Sequence, residues 1–249
     1  MIIIKSPREI SLLRDAGRIV AETHELLKEH VKPGISTYEL DRIAYKYITG
    51  CKATPSFLNY QGFPGSICAS VNDKIVHGIP SKHEILKEGD IISLDIGAYY
   101  KGYHGDMART LPVGKISEED QKLIDVTAES FQKGFEQAVL GNHLSDISHA
   151  VQVCAESAGF SVVREYVGHG VGTKLHEDPP VPNYGPPHHG PRLVEGLVIA
   201  VEPMINQGTY HINVSEDGWT VSTADGKKSS HHENTFAVTK NGPVILTAV

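Results

Sequence analysis

Four acidic residues lie at the edges of apolar runs, where their carboxylates could do chemistry together. Asp95 ends one such run, Asp106 follows eleven residues later, Glu202 ends a second run, and Glu233 comes just before a third. An acid on a strand apolar enough to be buried costs free energy unless it has a partner. Carboxylates that face one another are also unfavourable unless a proton or a cation lies between them. The pattern therefore predicts a buried cation site.

A histidine in a glycine-rich stretch adds to this set. His169 lies within Gly168–Gly172, where the backbone can approach a ligand closely, and His176 follows seven residues later. Four carboxylates and one imidazole form an oxygen-rich, sulfur-free group of ligands. Such a group suits a pair of divalent first-row ions (Mn, Fe(II), Co or Zn) better than a structural zinc site made of thiolates.

The first two acids are predicted to share a β-hairpin. The midpoint between Asp95 and Asp106 falls in the turn-like stretch Tyr99–Gly102. In a hairpin centred there, the two aspartates lie nearly opposite each other, about 5 Å apart at Cβ. That placement would direct both carboxylates at one site.

Capping signals and apolar periodicity indicate a mixed α+β chain that would position these residues. Ser6–Glu9 and Ser36–Glu39 are capping boxes, and apolar residues at helical spacing follow each of them. The first helix is expected to end near Pro33-Gly34. Two further helices are predicted, one starting at Ser117–Asp120 and one over Leu144–Ala158, and the clearest strands are Ile67–Val71, Ile91–Ile96, Val198–Val201 and Phe236–Val238.

Two pairs of short segments repeat with one shared offset of 107 residues. Gly34–Leu40 resembles Gly141–Ile147, and Glu88–Asp95 resembles Glu195–Glu202. A shared offset indicates two similar halves related by a pseudo-two-fold axis. Because each segment of the second pair ends in an acid, such an axis would bring those two acids toward one central place.

Proline is concentrated between Glu177 and Glu195, which holds six of the fourteen prolines. Such a segment is predicted to be a rigid surface loop. His188 and His189 lie within it, and adjacent side chains on an extended loop diverge. They are therefore expected to be an exposed pair and not a pair of metal ligands.

Composition narrows the class of protein. The 249 residues include 40% hydrophobic and 21% charged residues, which is ordinary globular composition, and the formal charge of −7 gives no global attraction to nucleic acid or anionic membrane. No apolar run is long enough to span a bilayer, and the first residues lack a signal-peptide pattern. Three widely spaced cysteines without a CxxC motif indicate reduced thiols. A cytoplasmic protein that binds neither membrane nor specific nucleic acid is expected.

The motifs occur in the order found in type I methionine aminopeptidases, and the resemblance covers nearly the whole chain. It implies the pita-bread fold, which is an α+β fold with two pseudo-symmetric halves, a central antiparallel sheet and flanking helices. It also implies one catalytic domain over residues 1–249, with halves of about 1–115 and 116–249. The motifs are Val76–Pro80, Asp95–Gly97 with Gly102–Asp106, Gly168–Gly172 with His176-Glu177, Val201–Met204, and Glu233.

The resemblance also implies a role for each motif residue. Two divalent ions would be held by five ligands, with Asp106 and Glu233 bridging both ions, Asp95 serving one, and His169 and Glu202 serving the other. They would lower the pKa of a shared water. Glu202 would act as general base. His176 would stabilise the oxyanion, and His77 would contact the scissile amide nitrogen. The pocket for the methionine side chain would include Phe57, Tyr60, Phe63, Cys68 and Trp219, with Leu175 beside it.

Three positions depart from the family pattern. Glu233 is followed by Asn234 where histidine is common, His231-His232 replaces a stretch that often contains glutamine, and Phe57 fills a position where smaller residues are frequent. These changes leave the five ligand positions intact. They bear on the tuning of the metals and not on the reaction.

The function expected from the resemblance is removal of the N-terminal methionine from nascent chains when the second residue is small. The enzyme would be a monomer that associates transiently with the ribosome. Two alternatives remain at this stage. One is an Xaa-Pro aminopeptidase or prolidase, which shares the fold and ligands but usually carries an additional N-terminal domain. The other is a non-catalytic binding module on the same fold.

Overall fold

Four helices flank short antiparallel sheets. The computed structural model describes residues 1–249, and its helices are α1 (Pro7–His30), α2 (Thr37–Gly50), α3 (Glu118–Glu136) and α4 (Leu144–Ser157), with a 3-10 turn at Tyr60–Gly62. The strands are β1 (Thr54–Pro55), β2 (Ile67–Val71), β3 (Lys74–Val76), β4 (Ile91–Tyr100), β5 (Tyr103–Pro112), β6 (Ser161–Val162), β7 (Gly168–Gly170), β8 (Glu177–Val181), β9 (Val198–Val201), β10 (Met204–Asn206), β11 (Ile212–Val214), β12 (Val221–Thr223), β13 (Ser229–His231), β14 (Asn234–Thr239) and β15 (Gly242–Ile245). None of the helices is long and apolar enough to cross a membrane.

The helix starts follow from local side-chain chemistry. Ser6 and Ser36 each accept a hydrogen bond from the backbone N–H three residues later, and Glu9 and Glu39 reach back to complete the two capping boxes. These contacts satisfy N–H groups that have no partner inside the helix. The four predicted helices and the four clearest predicted strands are confirmed, with ends that differ by a few residues.

The proline-rich segment differs from its prediction as a surface loop. Glu177–Val181 forms strand β8, which pairs with β7 at the edge of a five-stranded sheet ordered β15-β14-β9-β7-β8. Prolines are tolerated there because an edge strand leaves some N–H groups without a ladder partner. Beyond Val181 the segment contains no named strand or helix, and the side chain of His188 is 79% exposed.

Two hydrophobic cores lie beneath the two pairs of helices. The first contains 18 buried residues, contributed mainly by α1, α2, β2 and β4. The second contains 12 buried residues, contributed mainly by α3, α4, β9 and β14. Each pair of helices therefore covers one face of its strands, which leaves the opposite face of those strands for contact between the two halves.

Side-chain alternation puts polar groups on that opposite face. Ile92, Leu94 and Ile96 of β4 pack in the first core. Because successive side chains of a strand point to opposite faces, Ser93 and Asp95 project away from the helices. The acidic residue of β4 therefore faces the other half of the molecule.

The 107-residue offset recurs in the backbone contacts of the two halves. Ser36, the N-cap of α2, forms an isolated β-bridge with Ile85, and His143, the N-cap of α4, forms one with Arg192. Both members of the second bridge stand 107 positions after those of the first. The repeated sequence segments thus start equivalent helices against equivalent strand-like segments.

A close backbone contact joins α1 to the C-terminal segment, and it gives a test of the packing. A Cβ atom on Gly17 would lie 2.3 Å from the carbonyl oxygen of Leu246. We expect Gly17→Ala to lower the free energy of unfolding by about 1–3 kcal/mol, the usual cost of overpacking a well-packed site. Urea unfolding followed by circular dichroism measures the change.

A matched variant in the next helix separates packing from helix propensity. A Cβ atom on Gly50 meets nothing within 4 Å. Gly50→Ala should therefore be neutral or stabilising by up to about 1 kcal/mol. Equal stability of the Gly17→Ala variant and the parent would contradict the close contact.

Candidate metal centre and adjoining cavity

The β4–β5 hairpin positions the first two acids. Its register pairs Asp95 with Ala108 and Gly97 with Asp106, and the two-residue turn is Lys101-Gly102. The hairpin prediction is confirmed, but the expectation that the aspartates lie nearly opposite is wrong. The turn is centred one position later than the midpoint of the two acids, so they form a diagonal pair on one face. Diagonal neighbours lie about 7–8 Å apart, still within reach of a shared site.

The second half contributes the other three residues. His169 on β7 pairs with Ala200 on β9, and Glu202 immediately follows the last residue of β9. Glu233 immediately precedes β14, whose first residue pairs with Val201. The same alternation that buries one face of β9 against α3 and α4 turns these side chains to the opposite face.

Backbone contacts fix the distance between the halves at this point. The N–H of Glu233 donates to the carbonyl of Ala108 at 2.9 Å, and the hydroxyl of Thr235 donates to the carbonyl of Asp106 at 2.8 Å. The Arg109 guanidinium donates to the Glu233 carbonyl, and to the Asn234 side-chain oxygen at 2.8 Å. The segment that carries the last acid is therefore bonded directly to the hairpin that carries the first two.

The five residues converge on a small volume. Asp106, His169 and Glu233 each place one potential ligand atom within 4.8 Å of the other two. The Nε2 atom of His169 lies 3.6 Å from Oδ2 of Asp106 and 3.5 Å from Oε1 of Glu202. Buried oxygens of Asp95, Asp106 and Glu233 have no hydrogen-bond partner.

Hydrogen bonding sets which nitrogen of His169 could bind a ligand. Its Nδ1 donates to the carbonyl of Gly170 at 2.9 Å, so Nδ1 carries the proton and Nε2 presents a lone pair. Burial lowers the pKa of His169 to about 3, which keeps the ring neutral. A lone pair aimed at two carboxylates is repulsive in isolation and is the arrangement in which imidazole binds metals.

Burial and mutual repulsion act on every acid of the cluster. Burial raises the pKa of Asp95 to about 7. Burial, followed by the charges of neighbouring acids, raises the pKa of Asp106, Glu202 and Glu233 well above the usual range. No lysine or arginine forms an ion pair with any of the four carboxylates, and the charge of Arg109, which acts to lower the pKa of Glu233, only partly opposes the effect of burial and of the other acids.

These observations fit a divalent metal. Unpartnered buried oxygens and an unprotonated imidazole nitrogen form a donor set without sulfur, which is the type that hard and borderline divalent ions prefer. A cation would pair the orphaned oxygens and offset the repulsion among the acids. The chemistry of the donors therefore matches the cation site that the sequence predicts.

A cavity of about 210 Å³ adjoins this cluster. One wall is acidic, and the other is apolar and aromatic. All twelve residues that the sequence analysis names for the site line it, together with Leu175: Phe57, Tyr60, Phe63, Cys68, His77, Asp95, Asp106, His169, His176, Glu202, Trp219 and Glu233.

Several lining residues were not found from the sequence. Gln61, Val76, Tyr166, Val167 and Met204 also line the cavity. They come from loops and strand ends whose approach to the site depends on tertiary packing. Val76 and Met204 at least lie within recognised motifs, next to residues that were selected. Gln61 follows Tyr60 and Val167 precedes Gly168–Gly172, whereas Tyr166 lies in none of the motifs.

A missed histidine lies behind the acids. His231 is buried, and its Nε2 lies 3.7 Å from Oε2 of Glu202 without a hydrogen bond. His231 stands where the family pattern often has a glutamine-containing stretch, and this difference is the sequence signal that points to a position near the site.

The two other histidines of the cavity, His176 and His77, contact different neighbouring side chains. His176 Nδ1 lies 2.8 Å from the hydroxyl of Tyr60, and its ring lies edge-on to the ring of His169 with centroids 4.2 Å apart. His77 has a positive φ of 59° and packs edge-on against Tyr166. Burial lowers the pKa of both rings, that of His77 to about 4. Both are therefore neutral imidazoles.

The N-terminal segment holds the loop that carries His176. The Lys5 ammonium donates to the carboxylate of Glu177, the next residue, at 2.5 Å, and both side chains are almost fully buried. The N-terminal amine lies against Asp178. A groove lined by Met1 and Ile3 continues from His176 along this contact. The loop position therefore depends on a buried ion pair with the start of the chain.

The family assignment rests on a match over most of the chain. The sequence profile described as metallopeptidase family M24 matches residues 11–240. The chain belongs to metallopeptidase family M24. Membership of a metallopeptidase family implies use of a divalent metal, in agreement with the donor set described above.

Individual relatives agree with this M24 assignment. The chain is 59% identical to a protein named methionine aminopeptidase 1 from Bacillus subtilis (strain 168), over 100% of both chains. The crystal structure of methionine aminopeptidase from Thermotoga maritima has a TM-score of 0.98 and 42% identity, with 100% of both chains covered. Prolidase from Pyrococcus furiosus has a TM-score of 0.80 at 22% identity and covers 99% of this chain and 66% of that one, which shows a common fold alone. The α+β pita-bread fold implied by the sequence resemblance is confirmed.

Removing one acid tests the charge argument. We expect chelated Asp106→Asn protein to unfold at the same or a higher urea concentration than the chelated parent, because one repulsive buried carboxylate is gone. Saturating Mn²⁺ should stabilise the parent by about 2.7 kcal/mol at one hundred times its dissociation constant, and the variant far less. Urea unfolding with EDTA and with Mn²⁺ measures both effects.

Asp125 supplies the control for this measurement. It is an exposed residue of α3 whose carboxylate accepts a hydrogen bond from Gln121. Asp125→Asn should respond to Mn²⁺ as the parent does. An unchanged metal response in Asp106→Asn would refute the assignment of Asp106 to the metal centre.

Proposed function

We propose that this chain is a methionine aminopeptidase, a hydrolase that removes the N-terminal methionine of nascent proteins when the second residue is small. The observation that carries the proposal is the cavity with an acidic, metal-compatible wall on one side and an aromatic, sulfur-containing wall on the other. The relative from Bacillus subtilis, identical at 59% of positions and named for this activity, supports it.

The metal centre is proposed to hold two divalent ions, of Mn, Fe(II), Co or Zn. Asp106 and Glu233 would bind both ions, Asp95 would bind one, and His169 and Glu202 the other. The bound ions would supply an acidified water and positive charge beside the substrate carbonyl and amine. Asp106, His169 and Glu233 each place a ligand atom within 4.8 Å of the other two, which supports this arrangement.

Glu202 is proposed to move the protons of the reaction. It would accept a proton from the attacking water and deliver one to the leaving amine. Its buried carboxylate lies 3.5 Å from Nε2 of His169, which places it at the edge of the proposed metal centre. His231, 3.7 Å away, limits where this carboxylate can turn.

The two neutral histidines are proposed to contact the scissile amide. When the Tyr60 hydroxyl donates to Nδ1 of His176, the proton of the ring lies on Nε2 and can be donated to the developing oxyanion. His77 would hydrogen-bond near the amide nitrogen. Neither ring is charged, which fits a role as hydrogen-bond partner and not as counter-ion.

The aromatic wall is proposed to bind the methionine side chain. Phe63 and Trp219 pack edge to face with centroids 5.2 Å apart, and Phe57, Cys68 and Leu175 form one apolar cluster with Phe63. A thioether gains about 0.3–1.5 kcal/mol from contact with an aromatic ring. The wall therefore favours methionine over an aliphatic side chain of similar size.

The remaining proposals concern organisation and setting. Residues 1–249 would form one catalytic domain with halves of about 1–115 and 116–249, as the equivalent bridges at Ser36 and His143 support. The enzyme would be a cytoplasmic monomer that meets nascent chains during transient contact with the ribosome. Its three free cysteines are compatible with a reducing compartment.

A peptide series tests the reaction and its specificity. We expect kcat/KM on Met-Ala-Ser to exceed that on Met-Ile-Ser by at least about a hundredfold, because a bulky β-branched second residue would displace the scissile carbonyl, and a displacement of about 1 Å can cost that much. Product analysis by mass spectrometry on Mn²⁺-loaded enzyme gives the rates. Preferential cleavage of Ala-Pro-Ser would favour the Xaa-Pro alternative, and no cleavage of any peptide would favour a binding module.

A substitution at the proposed base tests the mechanism. Glu202→Gln should lower kcat by about 10²- to 10⁴-fold, the usual contribution of general acid–base catalysis. The exposed Glu195, in the same connection before β9, provides Glu195→Gln as the control with parental activity. Circular dichroism checks the fold, and near-normal turnover by Glu202→Gln would overturn the assignment.

A further inference from the structure

A second cluster of metal-binding side chains lies on the surface, outside the acidic cavity. His143, Asp146 and His188 place one potential ligand atom each within 4.8 Å of the other two. His143 is the N-cap of α4, Asp146 lies in its first turn, and His188 comes from the proline-rich segment. Residues separated by more than forty positions thus present two imidazoles and a carboxylate to one point.

The carboxylate of this cluster is held in place by backbone groups. Asp146 Oδ2 accepts a hydrogen bond from His143 N, and Oδ1 accepts one from His188 N, both at 2.7 Å. A carboxylate offers about four acceptor sites, so these two contacts leave lone pairs on both oxygens. Nδ1 of His188 already lies 3.0 Å from Oδ1. The exposed His188 ring has room to turn its nitrogen toward an ion beside that oxygen.

The first half of the molecule provides an internal comparison. At the equivalent corner, Ser36 and Glu39 form an ordinary capping box without imidazoles. The positions 107 residues later are His143 and Asp146, and the bridge to the following segment is kept. His143 takes the place of Ser36 and forms a capping box with Asp146, so capping accounts for His143 but not for His188. The His188 imidazole, which comes to this corner from a distant segment, is the addition that capping does not explain.

We propose that His143, Asp146 and His188 form a separate Zn²⁺ site, with water as the fourth ligand. Two imidazoles and one carboxylate with an open position are a ligand set that zinc accepts in tetrahedral geometry. The exposed position gives the ion access from solvent. His188 and the adjacent His189 do not form a ligand pair, and the partners of His188 are instead His143 and Asp146.

Bound zinc would fasten the proline-rich segment to the start of α4. The same segment carries Asn183, whose side-chain amide donates to the backbone carbonyl of Glu202 at 3.0 Å. The ion would thus hold the segment at His188, and Asn183 of the same segment contacts the backbone of Glu202, which lines the acidic cavity. Because an ion that binds only the folded state stabilises it, zinc should raise the melting temperature through this site.

Zinc counting in matched variants tests the proposal. His188 has a φ of 65°, a backbone conformation that asparagine tolerates, so His188→Asn removes the imidazole with little strain. Chelated protein is brought to equilibrium by dialysis against buffered Zn²⁺, and metal is measured by elemental analysis on both sides. We expect His188→Asn to bind one zinc fewer per chain than the parent, and its melting temperature to gain less from zinc. Both proteins keep the buried centre, so their difference counts the surface site.

The neighbouring histidine is the control. His189 is exposed but outside the cluster, and its N–H bonds to Ser145. His189→Asn should bind as many zinc ions as the parent. Equal counts for His188→Asn and the parent would overturn the proposal and leave an exposed histidine–aspartate pair. Parental activity of Mn²⁺-loaded His188→Asn on Met-Ala-Ser would show that the buried centre is intact.

Discussion

Four carboxylates buried together without a lysine or arginine ion pair impose the main constraint on this structure. Each would be more stable in water, and each is destabilised further by the other three. Arg109, the nearest strong cation, is bonded to the Glu233 carbonyl and the Asn234 side chain, not to a carboxylate of the cluster. The fold must therefore hold the acids in place by other means, and a divalent ion is the group whose binding repays that cost. Stability and reactivity are linked because both depend on the same charges.

Backbone hydrogen bonds, and not salt bridges, hold the four acids in place. Antiparallel pairing places Asp95 and Asp106 on one face of a hairpin, and β9 and β14 place Glu202 and Glu233 on the facing surface. The Glu233–Ala108 hydrogen bond then joins the two surfaces. Rigid pairing of this kind leaves the carboxylate oxygens free for a ligand, whereas side-chain ion pairs would occupy them. The two-half architecture is thus suited to a site that must remain electrostatically unsatisfied until a metal binds.

Local patterns predicted the elements well and tertiary contacts poorly. Capping signals and apolar periodicity identified the four helices, and the turn-like stretch Tyr99–Gly102 identified the hairpin, since these depend on neighbours in sequence. The hairpin register was one position off, because the turn is set by the left-handed backbone of Lys101 and Gly102 and not by the spacing of the acids. Tyr166 and the contact of His188 with Asp146 could not be predicted, since each depends on segments that meet only after folding. The roles assigned to individual site residues came from the family resemblance and remain predictions.

The docking of the N-terminal segment has a practical consequence for work with this protein. Lys5 pairs with Glu177, and the fully exposed Met1 borders the groove that leads to His176. Any affinity tag fused ahead of Met1 would begin at that groove, tethered beside the catalytic cavity. A tethered peptide reaches effective concentrations of about millimolar through a short flexible linker. A tag at that position is placed where substrate must approach, so a tag after Val249, or removal of the N-terminal one, is the sounder design.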